Sequence, residues 1–219
     1  MILDLTLKFK NGKILKREEL LVEKVKLSTG ERLLSSAIDL IAEKGYNAVT
    51  TKEIAREASV SEMTLFRHFG TKRKILEEAI DRYYYAMPMQ ELFENNIVWD
   101  LQQDLYMISK SYHDIMKKNR RVILIAFKDG KTIPGLYDQI NRHPRQLKEL
   151  IIDYLEEMER RRKIKKYVNL ENIAMAYLYM LYGEFVSRNF VEGHQITSIK
   201  ENDFIHTTVL LFVEALTNN

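Results

Sequence analysis

Residues 61–74 carry polar, basic and thioether side chains of the types that contact nucleic acids. Glu62, Met63 and Arg67 fall in the first turns of a short predicted helix, on its solvent-facing side. A glutamate can accept a hydrogen bond from a cytosine amino group, and a methionine can lie against a thymine methyl group. These side chains therefore have the chemistry to read the edges of base pairs.

Helix starts and a basic run in the same region suit phosphate groups. The predicted helix starts at Thr50, Ser61 and Thr71 offer free backbone N–H groups and the positive ends of helix dipoles. Thr64 is a neighbour of the reading face, and residues 72–74 add positive charge. The net charge of +3 is too small to indicate a nucleic-acid partner by itself, so the basic footprint must be local.

Two short helices joined by a tight turn would position these groups. Thr50 and Glu53 predict a capping box at the first helix, and Ser61 is the predicted N-cap of the second. A helix-turn-helix needs a small residue where its helices cross, and Ala55 supplies it. A helical hairpin that does not bind DNA is the alternative. The predicted inner surface of the pair consists of Ile54, Ala58, Val60 and Leu65.

The flanking segments also predict helices. Ser28 and Glu31 form a second capping box, apolar residues then recur at three- and four-residue steps, and Gly45 ends that helix. Thr71 is the predicted N-cap of the next helix. Helical patterns continue from Pro88 to the end of the chain, so the predicted fold class is all-α.

Residues 28–76 resemble the DNA-binding domain of the tetracycline-repressor (TetR) family of bacterial regulators. The segment "AIDLIAEKGYNAVTTKEIAREASVSEMTLFRHFGTKRKIL" carries the resemblance, with the pieces in the order that this family uses. The resemblance implies phosphate contacts for one group of side chains and base contacts for another. The predicted DNA-binding residues are Thr50, Thr51, Ser61, Glu62, Met63, Thr64, Phe66, Arg67, His68 and Lys72, of which Thr51, Thr64, His68 and Lys72 resemble the phosphate contacts.

The segment departs from the family pattern at three positions. Ser59 stands where the turn often has Gly, so a non-glycine residue is expected at positive φ. Met63 replaces a small residue, and Phe66 replaces a tyrosine whose hydroxyl often donates to a phosphate. The ring of Phe66 can still pack, but that hydrogen bond is lost.

The resemblance further implies that residues 75–219 form a helical domain that binds a small effector and dimerises through the last two helices. The predicted domains are thus an N-terminal extension over 1–27, the DNA-binding domain over 28–74 and the effector domain over 75–219. Apolar stripes on the last two helices favour a two-fold four-helix interface, although such stripes also fill monomer cores. The stripes consist of Ala174, Tyr177, Leu178, Leu181 and Phe185, and of Ile205, Val209, Phe212, Val213 and Leu216.

The middle of the chain is rich in Tyr, Met and Phe, which suit the lining of a site for a large apolar or amphipathic ligand. Any single one of these residues is more often part of a core. The set predicted to bind a ligand is Tyr106, Tyr112, Met116, Phe127, Tyr137, Met158, Met175, Tyr179 and Tyr182.

The first residues have a different pattern. Leu3, Leu5, Leu7 and Phe9 alternate with polar residues, and Asn11–Gly12 follows, which predicts a β-hairpin. Because an isolated hairpin is marginally stable, residues 1–27 would pack elsewhere, contact a partner, form a partly ordered basic arm or precede the true start.

Catalysis, metals and membranes have little support in the sequence. The chain has no cysteine, its five histidines show no metal-ligand spacing, and no nucleophile or phosphate-loop motif occurs. We therefore expect no enzyme, no catalytic residue, no metal and no cofactor. No apolar run is long enough to span a membrane and the N-terminus is a poor signal peptide, so a cytoplasmic location is expected.

The sequence thus predicts a homodimeric regulator, most simply a repressor, that leaves a pseudo-palindromic operator when a bulky apolar effector binds. The alternative is a DNA-bound protein of the same fold whose helical domain binds another protein. A closed apolar cavity within residues 100–185 would favour the first, and an exposed apolar patch the second.

Overall fold

The computed structural model describes residues 8–10, 13–15, 27–83 and 87–217. Contacts divide the chain into two compact units, Met1–Ala79 and Ile80–Asn219. This division falls five residues beyond the predicted boundary after residue 74, which stays a prediction.

Two short strands pair at the place where a hairpin is predicted. Strands β1 (Lys8–Lys10) and β2 (Lys13–Leu15) are antiparallel, with Lys8 opposite Leu15 and Lys10 opposite Lys13. The predicted turn and the alternation at Leu3, Leu5 and Leu7 lie outside the described residues. Apart from these strands, the described chain is built from helices, which confirms the predicted class.

The first unit contains helices α1 (Thr29–Lys44), α2 (Thr51–Glu57) and α3 (Glu62–Phe69) and most of α4 (Lys72–Tyr83). Each start uses the predicted cap: Ser28 forms a capping box with Glu31, and the N–H of Lys74 donates to the hydroxyl of Thr71 at 3.1 Å. Helix α2 packs on both α1 and α3. The unit's buried apolar side chains include Leu33, Leu34, Ala37, Ile38, Ile41, Ile54, Leu65, Ile75 and Leu76.

The second unit packs four long helices around one core. The elements of this unit are α5 (Met87–Asn95), α6 (Leu101–Lys118), α7 (Arg120–Asp129), α8 (Leu136–Arg160), α9 (Leu170–Phe190), a 3₁₀ turn (Gly193–Gln195) and α10 (Glu201–Thr217). Helix α6 contacts α5, α9 and α10, and α8 contacts α5 and α9. None of the helices in the described ranges could span a membrane.

Helix α8 is longer than the sequence suggests. The sequence predicts a helical face from Leu147 to Met158 in a segment that opens with Pro144, and a proline is tolerated best in the first turn of a helix. In the structure the helix begins at Leu136, after Gly135 at φ 75°, and contains Pro144 in its interior. Burial of Leu136 and Ile140 supports the additional turns, so packing outweighs the hydrogen bond that proline cannot donate.

Asp104 and Tyr177, two buried polar residues of the second unit, have hydrogen-bond partners distant in the sequence or in the neighbouring loop. The carboxylate of Asp104 accepts from the backbone N–H of Val98 at 2.9 Å and from the hydroxyl of Tyr154 at 3.0 Å. Tyr177 donates to the carbonyl oxygen of Leu105 at 2.7 Å. Burial, and then the charge of Asp104, raise the pKa of Tyr154, so its hydroxyl keeps its proton.

Candidate nucleic-acid interface

The α2–turn–α3 segment has the predicted helix-turn-helix packing. Ile54, Ala55, Ala58 and Leu65 are buried, and the N–H of Val60 donates to the carbonyl oxygen of Ala55 at 3.0 Å. A larger side chain at position 55 would therefore push the turn away from α2. Val60 is only partly buried and contributes less to the inner surface than predicted.

The turn places a non-glycine residue at positive φ, as the sequence predicts. Ser59 has φ 56°, and its N–H donates to the carbonyl oxygen of Arg56 at 3.1 Å. A left-handed conformation costs an L-residue about 1–2 kcal/mol relative to the right-handed one. The packing of the two helices has to offset this cost, because the tight turn depends on it.

The start of α2 is fixed by a capping box and an ion pair. The carboxylate of Glu53 accepts from the N–H of Thr50 at 2.9 Å and from its hydroxyl at 3.0 Å. Its other oxygen accepts from Lys44 at the end of α1, at 3.0 Å. The backbone hydrogen bond from Thr50, followed by the bond from Lys44, lowers the pKa of Glu53 to about 2.

Helix α3 exposes most of the side chains that were predicted to face DNA. Met63 is 78% exposed, and Phe66, Arg67 and His68 are also exposed. The hydroxyl of Ser61 caps the helix by accepting from the N–H of Thr64 at 3.1 Å, and the two hydroxyls lie 2.9 Å apart. Met63 is the second residue of α3, so its exposed thioether lies beside the capped start of the helix.

Thr51 and Glu62 contact each other. The hydroxyl of Thr51 donates to a carboxylate oxygen of Glu62 at 2.6 Å. While this bond persists, Thr51 cannot donate to a phosphate, and one oxygen of Glu62 is occupied. Their predicted roles in phosphate and base contact stay predictions, and DNA would have to replace this hydrogen bond.

Lys72 differs from its expected position as an outward-facing cation. Its ammonium donates to the carbonyl oxygens of Tyr46 and Val49, both at 2.7 Å, and lies 4.1 Å from the ring centroid of Tyr46. This side chain joins the start of α4 to the loop between α1 and α2. In the basic run, Lys74 is exposed.

The predicted ligand-binding residues do not form one group. Met116 and Met158 are buried, whereas Tyr112, Met175 and Tyr182 are partly buried. Phe127 is exposed and contacts Phe190, at 5.3 Å between ring centroids. These residues differ in exposure because they lie on different faces of their helices, some toward the core and some toward solvent. The exposed members are Tyr106, Phe127, Tyr137 and Tyr179.

The apolar stripes predicted to form a dimer interface lie inside the second unit. Val209 is 1% exposed, Tyr177 is also buried, and Phe212 packs against Tyr177 with ring centroids 5.0 Å apart. These stripes therefore serve the core of one chain. The exposed large apolar side chains of α9 and α10 are instead Tyr179, Met180, Leu210 and Leu211.

A cluster of possible metal ligands was missed by the sequence reasoning. His113 on α6, Glu184 on α9 and Glu201 at the start of α10 place ligand atoms within 4.8 Å of one another. They come from three helices, so no local spacing marks them. Ser198 and Glu201 predict a capping box, but the Glu201 carboxylate accepts from Lys117 at 2.7 Å.

The chain resembles known regulators in its first unit and along most of its length. The family described as "Bacterial regulatory proteins, tetR family" matches residues 33–79. The uncharacterized HTH-type transcriptional regulator YvkB of Bacillus subtilis is 28% identical over 86% of this chain and 97% of its own. IcaR of Staphylococcus aureus, a negative transcriptional regulator of the biofilm operon icaADBC, is 22% identical over 84% of this chain and 80% of its own.

A solved structure has the same fold. The transcriptional regulator FadR from Bacillus subtilis, in complex with stearoyl-CoA, superposes with a TM-score of 0.63. The match covers 85% of this chain and 98% of FadR, at 16% identity. At this identity the match shows the fold, which is a helix-turn-helix unit followed by a helical unit. The family match confirms the resemblance for residues 33–79, which carry a DNA-binding domain of the TetR family, and the likeness to YvkB extends along most of the chain.

Replacing Glu53 tests how strongly the cap stabilises this interface. Folding lowers its pKa from 4.5 to about 2, so the carboxylate stabilises the fold above pH 4.5. This contribution is lost as the pH falls toward about 2. Glu53→Gln should therefore lower the free energy of unfolding at pH 7 and flatten its decrease between pH 4.5 and 2.

Urea unfolding followed by circular dichroism at several pH values measures both effects. Glu57→Gln, an exposed position at the other end of α2, is the control. Equal pH profiles for wild type and Glu53→Gln would contradict the assigned role of this carboxylate.

Proposed function

We propose that this regulator is a homodimeric repressor that binds a pseudo-palindromic operator and is released by a bulky, mostly apolar effector. It would act in the cytoplasm. The observation that carries the proposal is helix α3, which has a capped N-terminus and exposes Met63, Arg67 and His68 from a packed helix-turn-helix. The negative regulator IcaR supports the choice of a repressor.

Base reading is assigned to the first turns of α3, as in other helix-turn-helix proteins. Met63 projects a long apolar side chain that could contact a thymine methyl group. Arg67 lies one turn further along the same helix, and the second oxygen of Glu62 could accept from a cytosine amino group. These contacts would carry the sequence preference.

Phosphate binding is assigned to the surrounding groups. The capped helix starts at Thr50 and Ser61, the hydroxyl of Thr64, the imidazole of His68 and the exposed ammonium of Lys74 would hold the backbone. The ring of Phe66 would pack beside a sugar-phosphate strand without donating a hydrogen bond. Thr51 and Lys72 would contribute after exchanging or sharing their present partners, so we expect their replacement to destabilise the domain as well.

Dimerisation is assigned to the exposed faces of α9 and α10. Leu210 and Leu211 are adjacent on α10, and Tyr179 and Met180 are adjacent on α9. Gly183 lies one turn beyond Tyr179, and a Cβ atom added there would have open space around it. A helix that exposes apolar side chains and a glycine to solvent suits the close approach of another helix.

The effector is assigned to the second unit. The buried methionines of its core, Met116 and Met158, are adaptable, and the structurally similar FadR was solved with stearoyl-CoA.

The competing proposal is that the helical unit binds another protein, and the exposed apolar side chains of α9 and α10 are the observation in its favour. Ligand-induced stabilisation distinguishes the two.

The first prediction separates base reading from phosphate binding. Met63→Ala should leave random DNA binding unchanged and lose about 1–3 kcal/mol of discrimination at one base pair in each half-site. Lys74→Ala should weaken operator and random DNA alike and reduce the salt dependence by about one phosphate per protomer. Titration of labelled operator and scrambled duplexes at several salt concentrations measures both. Equal weakening of both duplexes by Met63→Ala would show that α3 is placed wrongly.

The second prediction concerns the dimer. Gly183→Leu and Leu211→Glu should each give monomers in sedimentation experiments, because one adds bulk and the other buries a charge at the interface. Loss of bivalent binding should lower the apparent operator affinity on the order of 10²- to 10⁴-fold. Val168→Glu, which replaces an exposed valine between α8 and α9, is the control. Intact dimers in both variants would remove α9 and α10 as the interface.

The third prediction concerns the effector. Long-chain acyl compounds should raise the melting temperature, since a ligand at 100 times its Kd adds about 2.7 kcal/mol of stability to the state it binds. Short-chain analogues with the same headgroup are the matched control, and they should stabilise less. The same compounds should release labelled operator. Stabilisation by small polar metabolites alone would contradict an apolar effector.

A further inference from the structure

The second unit contains a buried imidazole whose ring nitrogens make no hydrogen bond. His113 is 0% exposed. Within the described residues of this unit, the buried side-chain nitrogen and oxygen atoms that lack a hydrogen-bond partner are both ring nitrogens of His113 and Oε2 of Glu184. A buried polar group without a partner costs about 1–3 kcal/mol, so this arrangement requires an explanation.

Two carboxylates face this imidazole. Oε2 of Glu184 lies 3.4 Å from Nδ1 of His113, and Oε2 of Glu201 lies 3.9 Å from the same nitrogen. A tetrahedral ion with bonds of about 2.1 Å holds its ligand atoms about 3.4 Å apart. The cluster therefore has nearly the dimensions of a metal site, and small rotations of the Glu201 side chain would complete it.

The other oxygen of each carboxylate is held from outside the cluster. Arg188 donates to Oε1 of Glu184, and Lys117 donates to Oε1 of Glu201 at 2.7 Å. Lys110 lies 3.9 Å from the same Glu201 oxygen. These bonds orient the Oε2 atoms toward His113, as outer-shell partners do in metal sites. Their positive charge also opposes a cation, so binding should be weaker than at a site without them.

The protonation state of His113 also suits a ligand. Burial, which outweighs the nearby carboxylates, lowers the pKa of His113, so the imidazole is neutral at pH 7. For Glu201 burial favours the protonated form, but the hydrogen bond and charge of Lys117 outweigh it and lower the pKa. A neutral imidazole with carboxylates is a donor set for divalent ions.

We propose that His113, Glu184 and Glu201 bind a divalent first-row transition-metal ion that joins α6 to α9 and α10. One nitrogen and two carboxylate oxygens, in a chain without cysteine, suit Zn²⁺, Mn²⁺ or Fe²⁺. The two carboxylates balance the charge of the ion. A fourth position would be left for water. This proposal does not depend on the proposed operator, effector or dimer.

Calorimetric titration of the chelator-treated full-length protein with Zn²⁺, and separately with Mn²⁺, tests the site. We expect one ion per chain and a higher melting temperature at saturation. Glu184→Gln and Glu201→Gln should weaken binding by more than about 100-fold, because loss of an outer-shell partner alone weakens it by roughly 10- to 100-fold. His206→Gln and Glu214→Gln replace exposed groups on α10 and should leave binding unchanged.

Circular dichroism of the metal-free variants shows whether they fold. Glu201 is more accessible than Glu184, so Glu201→Gln decides the question if Glu184→Gln does not fold. Absence of stoichiometric binding to the wild type would overturn the proposal and leave the cluster as a buried imidazole beside two carboxylates that Arg188 and Lys117 hold. Undiminished affinity in a folded Glu201→Gln variant, or loss of binding in His206→Gln, would also overturn it.

Discussion

The candidate DNA interface depends on burial of the inner sides of two helices that are too short to be stable alone. Helices α2 and α3 have seven and eight residues, whereas isolated helices shorter than about 12–15 residues are marginal in water. Ile54 and Leu65 are completely buried, and Ala55 lets the turn approach closely. Because the inner surface is fixed, the opposite face of α3 is free to carry side chains chosen for DNA. The same packing offsets the positive φ of Ser59.

Local features of this domain could be predicted from the sequence, but its long-range contacts could not. The capping boxes of Ser28 and Thr50 depend on a partner three residues away, so their patterns are visible in the chain. Lys72 instead binds carbonyl oxygens of Tyr46 and Val49, and any sequence offers such acceptors everywhere. The basic run at 72–74 therefore predicted added positive charge at the interface, although Lys72 joins two parts of the domain and Arg73 pairs with Glu77.

In the second unit, the apolar periodicity predicted where the helices are, but it could not predict what packs against each helix face. Helix α9 has apolar side chains on several sides, so its pattern cannot distinguish a core from an interface. Tyr177, which was predicted at the dimer interface, is buried, whereas Tyr179, which was predicted to bind a ligand, is exposed. The Tyr/Met/Phe set is divided among buried, partly buried and exposed positions for the same reason, and its role in ligand binding stays a prediction. Pro144 shows the opposite case, because the preference of proline for the first turn of a helix is outweighed by burial of Leu136 and Ile140.

Helices α9 and α10 connect the proposals for the second unit. Their inner faces pack into the core, their exposed faces carry apolar side chains, and Glu184 and Glu201 place carboxylates against His113 of α6. A ligand shifts a conformational equilibrium only by the difference in its affinity for the two states. An ion held by α6, α9 and α10 would bind only where the three side chains meet, so it would favour that arrangement of the helices. An effector bound among the same helices would also favour one arrangement of them. The ion and the effector could therefore compete or cooperate through the packing of α6, α9 and α10.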